Sequence, residues 1–257
     1  SFVRTAWKEN GDQLRQTFSG ERVTREELWN SSGGYIRTDF TAEGGFSRKT
    51  YLDDQLRQTE TANGTKSSRT VWQDNGTKLQ QDFVNGSLVL EREWKANGQF
   101  HKTTFSANGN RKRDTFVDGQ LRVREQWVKN TFTRTSYDLE KGGTSERYVD
   151  NLLVQEQRWD AQGNRVTVTY APETGEKVRE EVVGGTFKKV TVWNAARTTT
   201  VIYQKKVEIS REIWQGDNYT RTITDGKGNT VQSVYVAGKL DSVNQWEANG
   251  RRQRIAY

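Results

Sequence analysis

Cysteine and methionine are absent from the 257 residues, and proline and histidine occur once each. Without cysteine there is no disulfide frame, thiol nucleophile or cysteine-ligated metal. A single imidazole, His101, leaves no histidine metal cluster and few histidine-based acid–base schemes. No run of 18 apolar residues occurs, which excludes a membrane-spanning helix. Apolar residues make up only 32% of the chain and mean hydropathy is -0.98, too little for a conventional large core. Charge of one sign is also missing in any concentrated form. Forty Lys and Arg oppose 33 Asp and Glu, for a net +7, but the signs are interleaved and no basic block of five appears. No nucleic-acid partner is expected. The lack of Met even at position 1, with Ser1 leading straight into Phe2-Val3-Arg4-Thr5-Ala6-Trp7, reads as a processed chain or part of a longer array.

What the chain has is aromatics. Nine Trp, nine Tyr and ten Phe are too many for a disordered chain of this polarity. Trp7, Phe18, Trp29, Phe40 and Tyr51 stand 11 residues apart. The series continues through Trp72, Phe83, Trp94, Phe105, Phe116, Trp127, Tyr137, Tyr148, Trp159 and Tyr170, then Trp193, Tyr203, Trp214, Tyr235, Trp246 and Tyr257. Thr61, Val182 and Thr224 fill the gaps, so 21 of 24 positions are aromatic and every Trp is among them. Such a fixed period is the signature of a repeat architecture. Six of the seven other aromatics, Phe2, Tyr35, Phe46, Phe100, Phe132 and Tyr219, lie five residues before a member of the series.

Between the aromatics lie turn dipeptides. Asn-Gly begins at residues 10, 63, 75, 85, 97, 108 and 249, Asp-Gly at 118 and 225, and Gly-Gly at 33, 44, 142 and 184. These favour the positive φ angles of two-residue hairpin loops, and Gly or Asn at this frequency excludes helix. The sole proline, Pro172, falls in the turn-like Ala171-Pro172-Glu173-Thr174-Gly175, where a missing N–H does no harm. Taking Asn10-Gly11 as the loop pairs Trp7 with Leu14, and Asn85-Gly86 pairs Phe83 with Leu88. Period-2 alternation then puts the aromatic series on one face, with Leu14, Val23, Ile36, Leu79, Leu90, Val123 and Val166. The other face carries Arg4, Arg15, Arg37, Arg48, Arg69, Arg113, Arg124 and Arg134, each three residues before an aromatic. A superperiod of three strands is visible in Trp94, Trp127, Trp159 and Trp193, spaced 33, 32 and 34.

The stretch Trp72-Gln-Asp-Asn-Gly, Phe83-Val-Asn-Gly, Trp94-Lys-Ala-Asn-Gly, Phe105-Ser-Ala-Asn-Gly resembles the variant MORN repeats of bacterial proteins, and the resemblance spans most of the chain. Trp159-Asp-Ala-Gln-Gly-Asn-Arg with Tyr170, and Tyr137-Asp138, are similar to the Tyr-Asp repeats of Rhs-type shells. Both resemblances imply a repetitive antiparallel sheet without a catalytic motif, in families that include surface, toxin-associated and immunity proteins.

Other candidate chemistry has a plainer explanation. Glu26-Glu27, Asp53-Asp54 and Glu180-Glu181 cannot act as carboxylate pairs, because adjacent strand residues point to opposite faces. His101 reads as an ordinary strand residue, and Gly109-Asn110-Arg111-Lys112-Arg113 as a surface charge ladder. Glycine pairs at 33, 44 and 142 read as turns, since no helix or Gly-Lys-Ser/Thr follows. Sequons at Asn30, Asn63, Asn75, Asn85 and Asn218 mostly coincide with turns that already call for Asn. An outer-membrane barrel is excluded by Glu27, Arg92 and Glu125 on the aromatic side. The feature with functional reach is the set Trp7, Trp29, Trp72, Trp94, Trp127, Trp159, Trp193, Trp214 and Trp246, a face for packing or for binding.

The expected fold is therefore all-β. It is a single repetitive domain over 1–257, a long antiparallel meander of about 11-residue strand-turn units and roughly 23–24 strands, with a β-solenoid or closed barrel as alternatives. The expected function is a non-enzymatic, exported structural protein of a bacterial surface, without cofactor or metal, self-associating through its terminal strands into a filament or surface layer. The alternatives are a glycan- or protein-binding module, including an immunity role, and a fragment of an Rhs-like shell.

Overall fold

The structure is a computed structural model that describes residues 1–257. It contains 24 β-strands and no helix, in two contact units, Ser1–Lys129 and Asn130–Tyr257. The first unit holds β1 (Phe2–Trp7), β2 (Gln13–Ser19), β3 (Arg22–Trp29), β4 (Gly34–Phe40), β5 (Phe46–Leu52), β6 (Gln55–Asn63), β7 (Lys66–Trp72), β8 (Lys78–Val84), β9 (Ser87–Trp94), β10 (Phe100–Phe105), β11 (Arg111–Val117) and β12 (Gln120–Val128). The second holds β13 (Thr131–Asp138), β14 (Gly142–Val149), β15 (Leu152–Trp159), β16 (Arg165–Ala171), β17 (Glu176–Val183), β18 (Phe187–Trp193), β19 (Thr198–Gln204), β20 (Val207–Gln215), β21 (Asn218–Thr224), β22 (Thr230–Val236), β23 (Lys239–Trp246) and β24 (Arg252–Ala256). The 24 positions of the series map one to a strand, each near the strand's C-terminal end or, for Tyr257, just past it.

Within each unit every strand pairs antiparallel with its neighbours in sequence. The meander is the observed architecture. A solenoid would need parallel coils, and neither unit closes into a barrel, because no strand pairs outside this order.

Two loop types join most of the strands. In the first, Lys8 N–H bonds to the Asp12 carbonyl and Gly11 N–H to the Lys8 carbonyl, which closes a three-residue loop ending in glycine at φ 86°. The Asn10 side chain accepts from Asp12 N–H at 3.1 Å, and Asn75, Asn97, Asn108 and Asn249 do the same two residues on. In the second type two residues form the loop, both with positive φ in Asn85-Gly86, Asp118-Gly119 and Ala237-Gly238, and the first alone in Gly20-Glu21, Gly64-Thr65 and Gly216-Asp217. Their twist matches that of the flanking strands.

A β-bulge lies beside seven of the two-residue turns, next to Phe18, Tyr51, Phe83, Phe116, Tyr148, Tyr203 and Tyr235. Between the first five the spacing is 33, 32, 33 and 32 residues, so three strands are the true repeat. The period then slips. β16, β17 and β18 pair without bulges, around the four-residue Pro172–Gly175 loop, and the bulges resume at Tyr203. Trp193 therefore stands outside the superperiod, which picks up again at Trp214.

The single aromatic face is not what the register builds. With three-residue loops Trp7 pairs with Gln13 rather than Leu14, and Phe18 pairs with Phe2 on the opposite face. Each bulge also breaks the period-2 count, so Leu88 opposes Phe83 while Leu90 opposes Asp82. The aromatics consequently occupy both faces of each unit.

No large core exists to compensate. Val201 is the only buried hydrophobic residue, and 17297 Å² remains accessible, where two compact domains of half the mass would expose about 14,000 Å². Stability comes from cross-strand neighbours. Trp29–Tyr35–Tyr51, Trp94–Phe100–Phe116 and Trp214–Tyr219–Tyr235 are three-ring stacks with centroids 4.1–5.6 Å apart, and such contacts add about 0.5–1.5 kcal/mol per pair beyond burial. The residues five positions before the series supply their middle rings. Lys78 Nζ lies 5.8 Å from the Trp72 ring and 4.6 Å from the Trp94 ring. The Tyr35 hydroxyl donates to Glu27 at 2.9 Å; burial and that carboxylate push its pKa up to about 12.

Gly142-Gly143 is not the turn itself. The loop is Leu139-Glu140-Lys141, and both glycines begin β14. A Cβ on Gly143 would lie 2.4 Å from the Trp159 ring and 2.6 Å from the Ser136 carbonyl. Gly143→Ala is expected to cost about 2–4 kcal/mol in urea unfolding, and an unchanged midpoint would contradict the placement of the Trp159 ring.

Candidate binding site around His101

The nine Trp do not form one surface. In the first unit Trp7, Trp29, Trp72 and Trp94 share a face and Trp127 lies on the other. In the second, Trp193 and Trp214 lie on one face and Trp159 and Trp246 on the other. Trp7 and Trp214 are exposed and the other seven half-buried. Most rest against a cross-strand ring or cation: Tyr35 for Trp29, Phe100 for Trp94, Arg111 at 3.9 Å for Trp127, and Tyr137 edge-on for Trp159.

The concave, chemically dense place is elsewhere. Three consecutive registers bring alternate residues of β9 to β12 onto the Trp127 face. Glu93 opposes His101, Glu91 opposes Thr103, Thr103 opposes Arg113, Arg113 opposes Glu125, and Phe105 opposes Arg111, which opposes Trp127. Together they line a depression of about 270 Å³.

At its floor His101 is 8% exposed and Thr103 7%. His101 Nδ1 lies 2.9 Å from the Thr115 hydroxyl, while Nε2 is buried with no partner. A buried polar atom left unpaired costs about 1–3 kcal/mol, and only one other side-chain atom, Arg57 Nε, shares this condition. Around it Arg113 reaches Glu93 at 4.0 Å and Gln81 donates to Glu91 at 2.9 Å. Burial, then the positive charges of Arg113 and Lys95, lower the His101 pKa, against weaker opposition from Glu93 and Glu125. The ring is neutral at pH 7. No three of the chain's carboxylates and imidazole converge as metal ligands.

On the opposite face below the site, Asp114 is held by Arg124 at 2.8 Å and Lys112 at 3.1 Å. Burial alone would raise its pKa, but these cations outweigh it and keep Asp114 below the usual carboxylate range.

No family model matches the sequence, and no curated protein does.

Sequence reasoning passed over His101 as an ordinary strand residue. The signal that finds it is loop length: counting Ala96-Asn97-Gly98 and Ala107-Asn108-Gly109 as three-residue loops aligns His101 with Glu93 and Thr103 with Arg113.

With one histidine, the imidazole titration by NMR is unambiguous, and its midpoint is expected below the ordinary 6.5. Because the unfolded chain then binds a proton that the folded chain refuses, stability should fall as pH drops below about 6.5. His101→Gln should remove that slope. A midpoint at or above 6.5 would contradict the buried, cation-flanked ring.

Proposed function

We propose that this chain is a non-enzymatic structural β-repeat protein that assembles into a filament or surface layer by adding the β24 edge of one copy to the β1 edge of the next. The observation that carries this reading is the condition of the two edge strands. β1 pairs with β2 and β24 with β23, and both strands are exposed along their whole length.

The alternation of antiparallel hydrogen bonds gives the edges their chemistry. Lys8 N–H bonds across to Asp12, so the backbone groups of Val3, Thr5 and Trp7 point away from β2. Tyr257 N–H bonds to Asp241 and Glu247 N–H to Arg251, so those of Arg252, Arg254 and Ala256 point away from β23. Rows of unpaired groups of this kind template further pairing. Phe2 and Trp7, 55% and 72% exposed, add apolar surface at the same edge.

Each strand contacts only its neighbours, so an added strand gains about what an internal one gains. The joint would bring together two strands of the bulge-free kind, as β16, β17 and β18 already do. The resemblance to variant MORN and Rhs-type repeats, whose families include surface proteins, supports a place outside the cell.

Sedimentation velocity and negative-stain electron microscopy over a concentration series test this. Assemblies should grow with concentration, and Thr5→Pro, which deletes an outward N–H donor without touching the β2 ladder, should abolish them with an unchanged far-UV CD spectrum. Val3→Lys should act likewise. A wild-type chain that stays monomeric throughout would contradict assembly.

A further inference from the structure

The depression on β9 to β12 holds a polar atom that the fold leaves unsatisfied. Thr115 fixes one edge of the His101 ring, and Nε2 on the other edge is buried and unpartnered. Glu125, on the wall, makes no ion pair or hydrogen bond with another residue. A built acceptor or donor and a spare carboxylate in one concavity indicate a ligand with both donors and acceptors.

The charges narrow its class. Glu91, Glu93 and Glu125 against Arg111 and Arg113 leave one net negative charge with the imidazole neutral. Three carboxylates disfavour an anion, and two guanidinium groups disfavour a free cation. Neutral hydroxyls suit both, since each donates to a carboxylate and accepts from an arginine. Phe105 supplies an apolar flank for the C–H face of a sugar ring, and Trp127, which carries the Arg111 guanidinium 3.9 Å from its ring, stands at the side. At about 270 Å³ the space falls just below the range that holds drug-sized ligands.

We propose that this depression is a carbohydrate site that takes one sugar ring of a glycan, with His101 and Thr103 at the floor, Glu93, Arg113 and Glu125 on the hydroxyls, and Trp127 beside the ring. It is independent of edge assembly, since both β9 and β12 lie away from β1 and β24 in the strand order.

The His101 imidazole signals are the probe, titrated with D-glucose, D-galactose, D-mannose and N-acetyl-D-glucosamine, and with methylammonium and inorganic phosphate as charged comparisons. At least one sugar should shift them saturably, with a dissociation constant on the order of millimolar for a ligand of this size. Glu125→Gln and Arg113→Gln should each weaken binding at least tenfold without changing the CD spectrum. Glu125→Gln is isosteric and breaks no ion pair, so it decides the matter if Arg113→Gln does not fold. No saturable shift by any sugar up to about 0.1 M, a response to methylammonium or phosphate alone, or binding unmoved by Glu125→Gln would overturn the assignment.

Discussion

Hairpin register is the constraint on which everything else in this protein depends. A sheet with one buried hydrophobic residue cannot draw its stability from a core, so each strand is held by what lies directly opposite it. What lies opposite is set by the loop. One residue more or less in a loop moves every side chain of the next strand to the other face. The Asn-Gly loops, with asparagine closing its own backbone and glycine at positive φ, are therefore as decisive here as core packing is in a globular domain.

Seen from that constraint, the bulges are part of the repeat. Each places an aromatic against a residue that is Val or Leu in six of seven cases, from Phe18 on Val23 to Tyr235 on Leu240, with Glu208 opposite Tyr203 as the exception. Because a bulge adds one residue, equivalent ring stacks change face from one three-strand repeat to the next: Phe2–Phe18 lies on one face and Trp29–Tyr35–Tyr51 on the other. Neither face becomes continuously apolar. Arginine, lysine and carboxylates fill the spaces between rings, and each such charged pair is worth only a fraction of a kcal/mol to about 1 kcal/mol. The same interleaving produces the His101 depression, where three registers align charged residues around one imidazole.

The strands were legible because aromatic spacing and turn dipeptides are local signals, and 23 of the 24 positions of the series fall one to a strand, with Tyr257 just past β24. The three-strand period showed through the spacing of Trp94, Trp127 and Trp159. The faces did not show, since Asn10-Gly11 fits a two-residue loop as readily as the last two residues of a three-residue one, and a bulge leaves no mark in composition. Arg4, Arg15 and Arg37 do lie opposite the aromatic three residues on, because that relation stays within one strand. His101 escaped notice for the complementary reason: its partners are 8 to 24 residues away, and only the correct registers gather them. Gly143 looked like a turn residue and instead makes room for the Trp159 ring, a contact that no local pattern encodes.

The most direct test of the register uses the absence of native cysteine. Lys95 N–H bonds to the Gln99 carbonyl, so Arg92 and Lys102, which are opposite each other, form a non-hydrogen-bonded pair whose Cβ atoms are near enough to bridge. Arg92→Cys with Lys102→Cys should oxidise to an intramolecular disulfide, measured by mass spectrometry, and Arg92→Cys with Thr103→Cys should stay reduced. The reverse result would mean two-residue loops, one aromatic face, and no His101 site.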